Sequence, residues 1–192
     1  MTRGDLLLEG FLRPLERVPL GVPYPSYVYR PLTELSFAGN LCLTGAGNLP
    51  GLRAGNLLLH LLATWLAFLC VRRLAGDGAS PWLARWAAAF FALHPMAVQA
   101  VTYVYQRSAV LEALLAFATL LLYWRAREVR APWRSPAYAG ALLTGLLAMT
   151  AKETGVTLPL ILAAAEVVLR RPAEGLGAVF KRWLPFALLP LI

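Results

Sequence analysis

Five apolar runs, each near the length of a membrane-crossing helix and none with a polar face, follow one another along most of the chain. A helix that crosses a ~30 Å hydrocarbon layer needs about 20 mostly apolar residues, within a range of about 17–25. The runs are 55–71, 82–93 (with more apolar residues beyond a break at His94-Pro95), 108–124, 136–151, and 154–169 with Pro159 inside it. A sixth opens at Trp183 and continues to Ile192. Flanking Trp, Tyr and Arg extend the shorter runs into the headgroup region. Ser80-Pro81 and Ser135-Pro136 each set a capping hydroxyl before a proline at a first helical position. With 59% hydrophobic and 15% charged residues and a mean hydropathy of +0.60, a soluble domain of this length would lack the polar groups to cover its surface. The expected fold is all-α, a polytopic transmembrane helical bundle of five complete spans plus one truncated span.

Lys and Arg placement orients this bundle. The segments 72–85, 125–135 and 170–182 hold eleven basic residues, against Arg107 and Lys152 alone in the turns between them. The rich segments are expected to be cytoplasmic loops, and a charge such as Arg127 is expected to be replaceable with little effect. The formal net charge of +8 is accounted for by topology. No basic motif with interleaved aromatics is present, so nucleic acid is not an expected partner. Residues 1–53 are expected to form an extracytoplasmic loop region with short helices, and 54–192 the transmembrane bundle. Segment 1–53 is too polar to span and has no signal-peptide pattern. Together with the final apolar run, this leads to the expectation of a fragment truncated at both ends. Cys42 and Cys70 make no metal-binding spacing and fall near opposite faces, so neither a metal site, a cofactor nor a mutual disulfide is expected.

Polar residues in apolar helices are costly and are functional candidates by default. Here they gather on the extracytoplasmic side. Asn56 and His60 lie four apart on one helical face. His94-Pro95 is followed by Gln99, Thr102, Tyr103, Gln106 and Arg107, Glu112 lies one turn into the third run, and Lys152-Glu153-Thr154 joins the fourth and fifth. Each has a plainer reading: Asn56 and His60 as inter-helix hydrogen-bonding groups, His94-Pro95 as a kink, Arg107 as a headgroup anchor, Lys152-Glu153 as a local ion pair. Together, three separate segments each supply a cation, Arg30, Arg107 and Lys152. Converging cations suit a phosphate or pyrophosphate, Arg as a bidentate fork and Lys as a point charge.

The strings Tyr29-Arg-Pro-Leu-Thr33, Asn56-Leu-Leu-Leu-His60, Phe91-Ala-Leu-His94-Pro95, Ala100-Val-Thr-Tyr-Val-Tyr-Gln-Arg107-Ser108 and Ala151-Lys-Glu-Thr154 resemble, in order and spacing, the multi-spanning O-mannosyltransferases that carry tetratricopeptide repeats, and their bacterial relatives. The resemblance covers roughly residues 28–170. It implies a C-type (GT-C) integral-membrane glycosyltransferase, multi-pass, in a bacterial inner membrane with an extracytoplasmic active face. Such an enzyme moves mannose or another hexose from a polyprenyl-phosphate donor to the hydroxyl of a protein or glycan acceptor. An acidic residue in the first outer loop serves the acceptor, and basic residues stabilise the leaving lipid phosphate. On that reading Arg30, Arg107 and Lys152 bind the donor phosphate, with His94, Glu153, Gln106, His60 and Asn56 in support. The chain departs from the family in having no adjacent acidic pair in residues 1–29. Asp5 and Glu9 are weak candidates that read more readily as amphipathic-helix surface charges. The catalytic acid is therefore expected upstream of Met1, and this chain alone is expected to be inactive.

Two non-enzymatic readings stand beside this one, a transporter and a lipid-carrier-binding scaffold that kept the cations. A transporter commonly shows repeated halves and polar groups near the bilayer midplane. The chain shows no internal repeat, and its polar groups gather at one interface.

Overall fold

The computed structural model describes residues 30–45, 48–76, 78–129, 131–169 and 175–191. These form eight α-helices with short 3₁₀ turns and, among the described residues, no strand. In chain order they are α1 (Pro31–Thr44), α2 (Leu49–Ala75), α3 (Pro81–Leu93), α4 (Ala97–Thr102), α5 (Arg107–Arg127), α6 (Pro136–Ala151), α7 (Leu158–Leu169) and α8 (Leu176–Leu188). The start signals act as the sequence predicts. Ser80 Oγ accepts from Trp82 N at 3.4 Å and Ser135 Oγ from Tyr138 N at 3.1 Å, each with proline in the first turn. Helix α2 begins at Leu49 because Asn48 caps it through Gly51 N at 2.9 Å, and the Asn48 amide also returns to Thr44 O at 3.0 Å. That one side chain closes α1 and opens α2.

Two helical stretches, Leu49–Ala75 and Val104–Arg127, are long and apolar enough to cross a membrane, with only 28% and 33% of their apolar windows buried. Their exposed faces carry large apolar side chains, among them Leu57, Leu58, Leu61 and Trp65. The other helices fall short of the expected five full spans. Helix α6 has 16 residues, α3 and α8 have 13, and α7 has 12. At about 1.5 Å per residue these reach roughly 18–24 Å. The cause is local: His94-Pro95 ends α3, and a 3₁₀ segment, Glu153–Thr157, takes up the start of the fifth run.

Helix α5 packs on both α2 and α6. The α6 face toward the interior is made of Tyr138, Ala141, Gly145, Ala148 and Ala151, so small residues let the neighbouring backbones approach. Thr119 donates across this seam to Thr144 at 2.9 Å. The core lies toward the far end of α2 and α5, where Tyr123 and Tyr138 meet Phe186 edge-to-face at 5.3 and 5.5 Å between ring centroids. The bundle thus has two ends, one with Arg107 and one with Glu166. Cys42 lies in α1 and Cys70 near the close of α2.

Several basic residues expected in loops are helical. Arg72 and Arg73 close α2, Arg125 and Arg127 close α5, and Lys181 and Arg182 lie within α8, which starts seven residues before the expected run at Trp183. Asp5, Glu9, Arg130, Arg170 and Arg171 lie outside the described residues.

Candidate functional site

The Arg107 end is organised around a guanidinium that is 1% exposed. Its Nε donates to Asn56 Oδ1 at 2.6 Å, Nη1 to Ser36 O at 3.1 Å, and Nη2 to Asn40 Oδ1 at 2.7 Å and Leu52 O at 2.8 Å. The Phe37 ring covers its face at 4.3 Å. Every one of these acceptors is neutral. Two asparagine amides and two backbone carbonyls solvate the charge, and no described carboxylate cancels it. Gly55 makes the arrangement possible. A Cβ there would stand 2.1 Å from Asn40 Oδ1 and 2.9 Å from Arg107 Nη2, so any side chain would displace the amide. Asn56 is fully buried and spends its Nδ2 on Val104 O at 3.3 Å, tying α2 to the turn that leads into α5.

Arg30, just before α1, reaches in two directions. Its Nε and Nη2 grip both oxygens of Glu153 at 2.7–3.0 Å, and its Nη1 donates to Ser108 Oγ at 3.3 Å. Thr33, one turn on, donates to Ala151 O at 2.9 Å. The Arg-Pro-Leu-Thr string is therefore bound to the Lys-Glu-Thr turn, and Arg30 bridges the neighbour of Arg107 to the neighbour of Lys152. A backbone hydrogen bond within Glu153 and the Arg30 fork hold its carboxyl below its usual value, so it is ionised at neutral pH. Thr154 donates to Glu112 Oε2 at 2.7 Å, adding a link to α5. The turn is tight: a Cβ on Gly155 would come within 2.7 Å of Ala148 O. Lys152 is half-buried, and no described residue hydrogen-bonds or pairs with its ammonium. Among the three candidate cations it keeps its donors available.

The two histidines serve elsewhere. His60 Nε2 lies 3.2 Å from Ala92 O and its ring stacks on Phe91 at 5.5 Å, joining α2 to the end of α3. His94 Nδ1 accepts from Met96 N at 3.2 Å, and its ring meets Phe90. Both line an apolar groove of about 950 Å³ that runs between α2, α3, α5 and α7 toward Trp124. The hydrogen bonds of His94 do not reach Arg30, Arg107 or Lys152. Gln106 stands before α5 without a side-chain capping bond.

Sequence reasoning missed Ser36, Asn40 and Ser108 as partners of the cations. It also missed the whole of the other end. There Glu166, 2% exposed, lies 3.3 Å from Arg127 and 3.4 Å from Arg182 and accepts from the Tyr123 hydroxyl, while Tyr138 donates to Arg182 O at 2.7 Å. Arg127, its side chain only 9% exposed, is thus an ion-pair member closing α5 and not a loop charge. The signal available in the sequence was a lone glutamate in an otherwise apolar run. Among the described residues no group of three His, Cys, Asp or Glu could hold a metal.

The Arg107 end can favour an anion. A buried charge with neutral partners keeps its field, a half-buried ammonium sits one residue from Glu153, and the carboxylate there is held by Arg30. Comparison with known proteins adds a relationship. The chain is 35% identical over 144 residues to the protein O-mannosyl-transferase Tmtc2 of Drosophila melanogaster, which covers 73% of the chain and 15% of that relative. It is 33% identical over 143 residues to the Drosophila protein O-mannosyl-transferase Tmtc1, covering 73% and 16%. It is 35% identical over 137 residues to mouse protein O-mannosyl-transferase TMTC1, covering 67% and 14%. The chain thus spans only about 15% of the length of the curated relatives it matches. No family model and no solved structure matches it.

Proposed function

Starting from the chain's family relationship to the protein O-mannosyl-transferases, we propose that it forms the donor-phosphate part of a multi-pass membrane glycosyltransferase of the GT-C type. The reaction moves a hexose from a polyprenyl-phosphate donor to an acceptor hydroxyl on the extracytoplasmic side. The acceptor oxygen forms a bond to the anomeric carbon, the bond from that carbon to the phosphate oxygen breaks, and the lipid phosphate leaves with the extra negative charge. An acidic residue takes the acceptor proton. Groups held ready where that charge grows lower the barrier.

The observation that carries the reading is that one side chain, Arg30, bridges Ser108, the neighbour of Arg107, to Glu153, the neighbour of Lys152. The roles differ by burial. Lys152, with its ammonium available, contacts the leaving phosphate directly. Arg107, its donors engaged, contributes its uncancelled field and fixes α1 against α5. Arg30 shares its charge with Glu153 and sets the position of the turn that carries Lys152.

The test is sugar transfer from a polyprenyl-phosphate mannose donor, measured on the full-length gene product. Lys152→Ala should lower turnover by about 10²–10³, with acceptor KM little changed. Arg134→Ala, at an exposed position, is the control. Full activity of Lys152→Ala overturns the phosphate role. Donor binding without any transfer by the unaltered polypeptide moves the reading to a lipid-carrier scaffold.

A further inference from the structure

The Glu166 end carries a second cavity, this one basic and of about 660 Å³, between the closing turns of α2 and α5. Arginines in a last helical turn commonly offset the helix dipole, and here each helix brings two of them, Arg72 with Arg73 and Arg125 with Arg127. They are not used alike. Arg73 pairs with Glu128 across the cavity mouth, and Arg127 pairs with Glu166. Arg72 and Arg125 are both exposed, both line the cavity, and have no hydrogen-bond or ion-pair partner among the described residues. With Arg73 and Arg127 paired, Arg72 and Arg125 leave the wall net positive.

The rest of the wall is apolar. Leu69 and Leu121 lie one turn deeper along α2 and α5, and Leu74 and Trp124 complete it. Trp124 is 3% exposed, and its indole Nε1 has no acceptor among the described residues. A buried donor without an acceptor is costly. A soluble polyanion makes no use of leucines beside the charges, whereas a phospholipid presents a phosphate, then ester carbonyls, then methylenes, in the order that this wall runs from arginine to leucine. Basic pockets between membrane helices suit anionic headgroups for this reason.

We propose that this cavity binds the headgroup of an anionic phospholipid, with Arg72 and Arg125 on the phosphate and the leucines against the first part of the acyl chains. The site is separate from the Arg107 end and does not rest on the glycosyltransferase reading.

The experiment measures the melting temperature of the detergent-solubilised chain with added phosphatidylglycerol, phosphatidylcholine or inorganic phosphate. Phosphatidylglycerol should raise it by several degrees, phosphatidylcholine by much less and phosphate hardly at all. The double variant Arg72→Gln/Arg125→Gln should unfold at the unchanged temperature without lipid and lose the phosphatidylglycerol response. Arg85→Gln/Arg134→Gln, with the same loss of charge at exposed positions elsewhere, should keep it. Equal responses to both lipids, or a response that survives the Arg72/Arg125 change, would overturn the site. An equal response to inorganic phosphate would overturn the lipid and leave an anion.

Discussion

At one end of the bundle Arg107 is buried among two asparagine amides and two backbone carbonyls; at the other, Arg182 and the nearly buried Arg127 close around the buried carboxylate of Glu166. Both solutions make a guanidinium tolerable inside apolar helices. They differ in what escapes. Neutral acceptors spread the charge and leave its sign intact. A carboxylate shared by two guanidiniums cancels one of their two charges and turns the same residue type into a bolt between α5, α7 and α8. Burial therefore says nothing by itself about role, and the formal charge of the partners decides it.

The sharpest way to break this comparison is to remove the carboxylate. Glu166→Ala leaves two buried arginines without their counter-charge and the Tyr123 hydroxyl without its acceptor. It should destabilise by about 3–5 kcal/mol, the usual cost of breaking a buried pair from one side. Thermal unfolding in detergent, followed by tryptophan fluorescence, reads this directly. A loss under about 1 kcal/mol would place Glu166 outside the arginine lock.

Arg107 gives the next effect and separates charge from fork. Arg107→Met strips four acceptors of their donor, and Arg107→Lys keeps the charge while losing most of the bonds. Each should cost about 2–3 kcal/mol, with Lys no better than midway. If Lys restored stability fully, the geometry of Asn40, Asn56 and the two carbonyls would be incidental.

The smallest effect belongs to the half-exposed Arg30–Glu153 pair. Its carboxyl is held below its usual 4.5, so the stability it gives is fully present above that value and is lost as pH falls through the lower folded-state value. An exposed pair contributes only about 0–1 kcal/mol. A pH series of unfolding on the chain and on Glu153→Gln should converge at acid pH and separate slightly at neutral pH. Separation that grows toward acid would reverse the sign and refute the pairing.

Much of the first end was legible because its residues are chemically conspicuous. Arg107 and Lys152 stand alone between basic segments, Asn56 and His60 interrupt leucines, and Ser-Pro pairs announce α3 and α6. The acceptors were less visible. Backbone carbonyls carry no sequence signal, and Asn40 and Ser36 are ordinary residues until α1 folds onto α5. The helix lengths were overread, since apolar content continues through His94-Pro95 and Glu153–Thr157 where the backbone does not continue as α-helix. The Glu166 cluster escaped because Arg127 and Arg182 were counted as topology markers, and long arginine stems allow a residue near a helix end to bury its head.

The strap formed by Arg30, Thr33, Ser36 and Asn40 has a consequence for the order of events during synthesis. Its partners on α5 and at the Lys152 turn lie far along the chain, from 67 residues away for Asn40 and Arg107 to 123 for Arg30 and Glu153. At about 5–20 residues per second, 123 residues take roughly 6–25 s to follow. The strap must therefore wait for these partners until α5 and then α6 have been made. A lesion at Lys152–Thr154 would consequently reach back to the first described helix.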